Sequence, residues 1–218
     1  MERANRIAAE GVYLGGKAER FEIAGRTLLI TLLSEGLLPG SKVLDIGCGC
    51  LRGGYWLIHF LEKGNYFGIE PNRDRVDAGV KYLLEPGMLE RKQPRFDHNK
   101  DFDFTVFNEK FDYFVGLSIW THASKPQIQQ MLDSFIATAN PGGTFVTSYY
   151  PATLFKRDYM GAEWKGRDGP SGLSGWAYHS LRWIQKECAQ RNLTAHEIRE
   201  KACQYWDQTW LVIRHKAS

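Results

Sequence analysis

The sequence predicts an α/β fold: a mostly parallel sheet covered by helices on both faces. Three observations carry that expectation. Val43-Leu44-Asp45-Ile46-Gly47-Cys48-Gly49 reads as a short buried strand running into a tight glycine turn, with an amphipathic segment, Tyr55 to Lys63, directly behind it. Strand-like and helix-like segments then alternate down the chain, the pattern of a parallel sheet with crossover helices. The 218 residues, 43% hydrophobic and 24% charged, suit one domain of this kind.

The elements follow in order. Phe21, Ala24, Leu28, Leu29, Leu32 and Leu33 mark a helical face that Gly36 and Pro39-Gly40 stop. Gly11 to Gly16 before it is a glycine-rich segment carrying Tyr13. Strand one is Lys42 to Ile46, and helix one runs from about Gly53 to Lys63 with Gly64 at C′. Strand two is Tyr66 to Glu70, helix two Arg73 to Leu84, and a short strand fits near Arg95-Phe96-Asp97. Phe111 to Ile119 is a further strand. Ser124-Lys125-Pro126-Gln127 opens a helix with a capping box and a proline in the first turn. Asn140-Pro141-Gly142-Gly143 is a turn and Thr144 to Tyr149 a strand. Pro151 to Gly175 mixes aromatics, glycines and charges without a period, which in a compact domain marks a functional connection. A helix from about Ala177 to Arg191 and strands near Thr194 to Arg199 and Thr209 to His215 close the chain.

Composition removes several function classes. The net charge is +3 and the basic residues form no stripe, so a nucleic-acid partner is not expected. No apolar run approaches the roughly 20 residues of a membrane helix. The first residues lack an apolar signal core, so a cytoplasmic protein is expected. Cys48, Cys50, Cys188 and Cys203 lack metal-site spacing, so no metal is expected and the thiols should be free.

The glycine loop admits two cofactor readings. Glycines at Gly47 and Gly49 let a ligand approach the backbone, and the following helix start offers N–H groups. A nicotinamide fingerprint, Gly-x-Gly-x-x-Gly, is missed by one residue at Gly53. Asp45 before the glycines instead suits a cofactor with an ammonium group near the loop, while Glu70 is placed to accept ribose hydroxyls in either reading.

At these residues the chain resembles class I S-adenosylmethionine-dependent methyltransferases. Val43 to Gly49 and Gly68-Ile69-Glu70-Pro71 are similar to the first two motifs of that family. Phe111 to Ser118 is similar to its fourth strand, and Asn140-Pro141-Gly142-Gly143-Thr144-Phe145 to its fifth. The usual third loop glycine falls at Leu51, with glycines later at Gly53 and Gly54, a variant similar to a bacterial subgroup associated with small-molecule or sugar modification. The resemblance implies a Rossmann-like sheet of seven strands, the last antiparallel. It implies that Asp45, Gly47 and Gly49 hold the methionine part of S-adenosylmethionine and Glu70 the ribose, with Cys48 and Pro71 as further cofactor-site residues. Asp101 and Phe102 would meet the adenine, with Asp103 as the alternate, and Leu117 and Ser118 would lie beside the sulfonium. Residues 1–40 then form a helical cap, with Tyr13 as a flap over the cofactor. Residues 41–218 form the cofactor-binding domain, with a substrate lid at about 150–176.

Methyl transfer from an activated donor asks the protein mainly to position the acceptor, and a hydroxyl acceptor also needs a base. His122, just after strand four, is the candidate base; the plainer alternative is that it caps the loop or packs beside Trp120. Trp120 is a candidate acceptor-stacking residue. Tyr149, Tyr150, Phe155, Tyr159 and Trp164 are candidates for an apolar lid, Lys165, Arg167 and Asp168 for orienting a polar acceptor, and His179 for the same cleft. The expected activity is O-methylation of a sugar or natural-product hydroxyl by a monomer or homodimer. The alternatives are a nicotinamide-dependent oxidoreductase and a protein that binds S-adenosylmethionine without transferring the methyl.

Overall fold

A computed structural model describes residues 2–12, 17–166, 175–203 and 207–216. The chain forms two compact units, Met1–Asp101 and Phe102–Ser218.

The first unit carries helices α1 (Glu2–Ala9) and α2 (Ala18–Ser34), then β1 (Val43–Ile46), α3 (Gly54–Phe60), β2 (Tyr66–Ile69), α4 (Arg73–Leu83), α5 (Met88–Lys92) and β3 (Arg95–Asp97). The three strands are parallel, in the order β3-β2-β1, with Asp45 opposite Gly68 and Gly68 opposite Phe96. Every residue of β1 and β2 is buried, which is why both read as unbroken apolar runs apart from Asp45 and Gly68. Asn72 caps α4 by accepting from the Asp74 N–H.

The second unit carries β4 (Phe111–Gly116), α6 (Lys125–Thr138), β5 (Ala139–Pro151), β6 (Tyr178–His179), α7 (Leu181–Gln190), β7 (Leu193–Ile198) and β8 (Thr209–His215), with short 3-10 turns at Thr105–Phe107 and Lys201–Cys203. Strand order is β4-β5-β8-β7, and β6 pairs with the end of β5. β4 and β5 are parallel; β8 is antiparallel to both β5 and β7. The expected reversal of the last strand is thus observed, and seven strands are joined by the two-residue β6. The core is aromatic: Phe114 packs edge-on against Phe111 and Phe135 at ring distances of 5.5 and 4.9 Å.

Several elements differ from the sequence reading for identifiable reasons. α3 ends at Phe60, not Lys63, where Leu61 turns extended at ψ 154°, and the Lys92 ammonium satisfies the His59 and Leu61 carbonyls at 2.9 and 2.5 Å. Gly64 is therefore not its C′ residue; it leads into β2 and donates to the Lys92 carbonyl. The expected turn at 140–143 is a bulge inside β5, where the register moves from Phe111↔Ala139 to Tyr113↔Thr144. Helix α7 starts later than expected, since β6 and the Ser180 cap precede it. Helix α1 falls within the stretch 1–40 expected to be helical, while α5 had no counterpart in the sequence reading. The capping box of α6 is present as expected, with the Gln127 side chain accepting from the Ser124 N–H at 2.8 Å and the Ser124 hydroxyl accepting from the Gln127 N–H.

Candidate active site

The glycine loop is built from close approaches within the first unit. Gly47 and Gly49 both have positive φ, +68° and +55°, so the turn needs residues without a Cβ. The Gly47 and Cys48 N–H groups donate to the Ile69 carbonyl at 2.8 and 3.1 Å, fixing the loop to the end of β2. Leu51, at the place of the usual third glycine, also has positive φ, +60°, and is fully buried. Its side chain fills the space beside Gly54 and Gly79, where an added Cβ would come within 3.0 and 2.9 Å of it. On the other side, a Cβ at Gly25 of α2 would stand 2.1 Å from the Arg52 carbonyl oxygen. Small residues on α2, α3 and α4 therefore let the loop sit down between helices.

Two buried acids flank this loop. Asp45 is 3% exposed and its Oδ2 accepts a 2.8 Å hydrogen bond from the Tyr66 hydroxyl. Burial pushes the Asp45 carboxyl up to about 7, against the lowering effects of Tyr66 and Arg52. Glu70 is 5% exposed. Its Oε2 accepts from the Gly49 N–H at 3.1 Å; its Oε1 accepts from the Asn72 N–H at 3.1 Å and faces Arg75 at 3.4 Å. Its backbone donates to the Asp97 carbonyl and accepts from the His98 Nδ1–H at 2.7 Å. Each carboxylate oxygen carries two acceptor lone pairs, so these contacts orient Glu70 without using up its capacity. Burial also pushes the Cys48 thiol far up and the Cys50 thiol to about 11, so neither is a thiolate at neutral pH.

In the second unit the segment after β4 is strained and heavily bonded. Ser118 has φ +62°. Its N–H donates to the Ser148 hydroxyl at 2.7 Å, and Gln208 bridges both serines, with Oε1 2.7 Å from Ser148 Oγ and Nε2 2.8 Å from Ser118 Oγ. A non-glycine residue held in this region is a recurrent mark of functional sites. His122 lies between two tryptophans, with ring centroids 5.5 Å from Trp164 and 4.9 Å from Trp176. Its Nδ1 is 3.1 Å from the Gly175 carbonyl. A carbonyl only accepts, so the neutral ring carries its proton on Nδ1 and its lone pair on Nε2. The chain between β5 and β6 is tied to the same segment, since the Lys165 N–H donates to the His122 carbonyl and the Ala177 N–H to the Thr121 carbonyl, at 2.9 and 2.7 Å. Asp158 fixes it from elsewhere, bonded to Lys125 at 2.6 Å and to the Ser180 N–H at 3.2 Å.

A family model described as a methyltransferase domain matches residues 18–198. The chain belongs to this methyltransferase family. Its fold is also that of solved methyltransferases. Magnesium protoporphyrin IX methyltransferase (ChlM) from Synechocystis PCC 6803, solved with bound SAH, matches with a TM-score of 0.64 at 18% identity, covering 99% of this chain and 94% of that one. The glycopeptide N-methyltransferase MtfA, solved with S-adenosylmethionine, matches with a TM-score of 0.64 at 12% identity, covering 88% of this chain and 94% of that one. The Rossmann-like fold expected from the sequence is therefore the observed one. Among curated proteins, an uncharacterized protein of Rickettsia prowazekii, RP028, is 28% identical over 115 residues, covering 51% of this chain and 44% of its own length. The chain spans 44% and 28% of the lengths of the first two curated relatives it matches.

Within this methyltransferase domain the candidates separate clearly. Asp45, Gly47, Cys48, Gly49 and Glu70 are brought together at the carboxyl ends of β1 and β2. Pro71 and Asp101 are exposed, Phe102 has positive φ (+53°), and its ring is 6.3 Å from Trp164. Asp103 is committed locally, accepting from the Thr105 N–H and hydroxyl at 2.9 and 2.6 Å. Leu117 and Ser118 lie just after β4, which ends at Gly116 and not at Ile119. His122 and Trp164 are neighbours, and half-buried Tyr178 and the buried Tyr150 extend the ring contacts through Trp176.

Three acceptor-site candidates are core residues instead. Trp120 is 0% exposed and packs edge-on against Phe145, so it has no face to offer an acceptor. Tyr149 is buried with its hydroxyl donating to Glu197 at 2.8 Å. His179 is buried, bonded through Nε2 to the Ala123 carbonyl at 3.0 Å, and burial lowers its pKa to about 4. Phe155 is 97% exposed and covers nothing. Tyr13, Arg167 and Asp168 lie outside the described residues. Tyr66, His98, Gln208 and Trp176 were missed. Tyr66 shares the face of Asp45 only through the β1–β2 register, which puts Val43 opposite Tyr66 and Asp45 opposite Gly68, so residue type and spacing alone did not mark it.

Proposed function

We propose that the protein transfers a methyl group from S-adenosylmethionine to a hydroxyl oxygen of a small molecule such as a sugar or natural product. The observation that carries the cofactor assignment is the pair of buried carboxylates, Asp45 and Glu70, at the ends of adjacent parallel strands with the glycine loop tied to one of them. The chemistry of that set fits: an acid for an ammonium group, an acid for ribose hydroxyls, and open space at Gly49, where a Cβ would meet only the Gly47 carbonyl oxygen at 4.0 Å. Family membership and the ligands of the solved relatives support the same reading.

When bound, the cofactor supplies a methyl group already activated by sulfonium charge. Asp45 would hold its ammonium group and Glu70 its ribose, with Gly47 and Gly49 leaving room for it. His122 takes the acceptor's proton at Nε2, since Nδ1 is held by the Gly175 carbonyl. Trp164, Trp176 and Tyr150 bound the acceptor around that ring. The related solved enzymes are named for a porphyrin and a glycopeptide, which supports a non-nucleic-acid acceptor here.

Calorimetry with S-adenosylhomocysteine and with NADH tests the cofactor. Binding of S-adenosylhomocysteine alone is expected; binding of NADH alone overturns the reading. Methyl-labelled cofactor offered against pooled sugars, phenols and amines tests the acceptor. Label recovered in hydroxyl-bearing compounds is expected; label confined to amines overturns the oxygen assignment, and binding without any transfer favours a non-methylating protein.

A further inference from the structure

We propose that Tyr66 is a positioning residue of the cofactor site: its hydroxyl orients the Asp45 carboxylate toward the cofactor's ammonium group, and Gly54 is the residue that makes room for it. This deepens the cofactor reading above and rests on it.

The argument starts from one face of the three-stranded sheet. In the β1–β2 register, Val43 lies opposite Tyr66 and Asp45 opposite Gly68. Side chains two apart on a strand share a face, so Tyr66 and Gly68 point to the same side as Asp45. Gly68 leaves that side open, and the opening is shared by the Cys48 sulfur and the Phe96 ring, which an added Cβ would meet at 2.8 and 3.0 Å. Tyr66 packs edge-on against Phe96 at 6.0 Å and extends along the sheet until its hydroxyl reaches Asp45 Oδ2 at 2.8 Å.

The helix start above completes the box. A Cβ on Gly54 would stand 2.5 Å from the Tyr66 hydroxyl oxygen and 3.0 Å from the Leu51 side chain. Any other residue at 54 would displace the hydroxyl. This accounts for the altered glycine spacing: the third loop position holds a buried leucine, and the glycine stands over the tyrosine.

The electrostatics agree with a positioning role. Asp45 is buried, with its carboxyl pushed up to about 7, so it is only partly charged near neutral pH. The groups that act on it are Tyr66 on β2 and Arg52 in the loop, which favour the charged form, and Glu70 after β2, which disfavours it; the Cys48 thiol beside it is neutral. Removing the Tyr66 donor leaves desolvation less opposed.

The test is Tyr66→Phe, read in two ways. First, S-adenosylhomocysteine affinity is measured by calorimetry from pH 6 to 8.5. A hydrogen bond to a carboxylate is worth about tenfold in its ionisation. The expected loss is therefore about tenfold at pH 6, narrowing to within about twofold at pH 8.5. A loss of equal size at every pH indicates packing alone and overturns the proposal, as does no loss. Second, the Asp45 carboxyl is titrated by carbon-13 NMR without ligand, and its midpoint is expected to rise by about 1 pH unit. An unmoved midpoint overturns the proposal. If the unaltered protein binds no S-adenosylhomocysteine, the cofactor reading fails, and the NMR titration still decides whether Tyr66 controls Asp45. Gly54→Ala is expected to reproduce the Tyr66→Phe profile, with the double variant no worse than Gly54→Ala; full additivity overturns the assignment of Gly54.

Discussion

Glu70 Oε2 accepts a hydrogen bond from the Gly49 N–H at 3.1 Å, so the acid that ends β2 also braces the loop that follows β1. The same residue is held through its backbone by Asp97 and His98 at the end of β3. One residue, by its side chain and its backbone, thus ties the loop after β1 to the ends of β2 and β3, and ligand contact and loop order at this residue are not separable.

Glu70→Ala is accordingly expected to weaken S-adenosylhomocysteine binding by more than one lost contact. Hydrogen bonds to charged groups contribute about 1.5–3 kcal/mol each, so a loss of 100-fold or more is expected by calorimetry. Faster amide hydrogen exchange at Gly49 should accompany it. Weakened binding with unchanged exchange there would show that the loop does not depend on Glu70.

Asp45 sets a pH dependence of stability with a definite sign. Its carboxyl rises from an ordinary 3.8 to about 7 on folding, so the folded chain holds the proton more tightly than the unfolded one. The resulting contribution is complete below about pH 4 and is lost as pH rises through about 7. Its ceiling is about 4 kcal/mol. Asp45→Asn should remove this slope, making the ligand-free protein more stable than the unaltered one at pH 8 in urea denaturation while binding S-adenosylhomocysteine more weakly. A variant less stable at pH 8 contradicts this.

Leu51 combines a left-handed backbone with complete burial, and two substitutions separate the effects. Leu51→Ala keeps the strained backbone and loses the packing, for about 2–5 kcal/mol of destabilisation. Leu51→Gly loses the same packing but relieves about 1 kcal/mol of backbone strain. Denaturation midpoints should therefore rank the leucine first, glycine second and alanine last.

Gly25 predicts a steric effect at a distance from any ligand. Its alanine variant places a methyl 2.1 Å from the Arg52 carbonyl oxygen, backbone that has no rotamer to yield. A stability loss of about 2 kcal/mol or more is expected, with lower S-adenosylhomocysteine affinity because the loop moves. Undiminished affinity would mean that α2 shifts instead of the loop.

His122→Ala tests the base. Turnover on the best acceptor should fall about 10²–10⁴-fold with S-adenosylhomocysteine affinity unchanged, the signature of a lost proton acceptor rather than a lost binding contact. Turnover within a few fold of normal would leave His122 as a packing residue between Trp164 and Trp176.

The parts legible in the sequence are those fixed by local chemistry. β1 declares itself because a doubly buried strand is a continuous apolar run, and the Ser124–Gln127 box declares α6 because both halves of a cap lie three residues apart. Asp45 and Glu70 were readable because Asp45 interrupts such a run just before the glycines and Glu70 directly follows one. What stayed hidden depends on register and distant partners. Lys92 satisfies the carbonyls at the end of α3 from about thirty residues away. Tyr66 finds Asp45 only once β1 and β2 are aligned. Trp120, Tyr149 and His179 look like site residues by type, yet tertiary packing turns them inward. Trp176, 47% exposed and against His122, sits at the end of a segment without any period, where residue type alone distinguishes nothing.

The pairing of β6 with the tip of β5 has an evolutionary consequence. Tyr150 lies beside Tyr178 and Pro151 beside His179, so the intervening chain leaves and rejoins the sheet at neighbouring positions about 4.8 Å apart. A segment with adjoining ends is a cassette. Lengthening it adds only about 0.6 kcal/mol of closure entropy per doubling, so it can be exchanged, extended or trimmed while the strands beneath keep their partners. On the acceptor reading proposed above, such a graft would alter acceptor contacts with the glycine loop and its two acids left as they are.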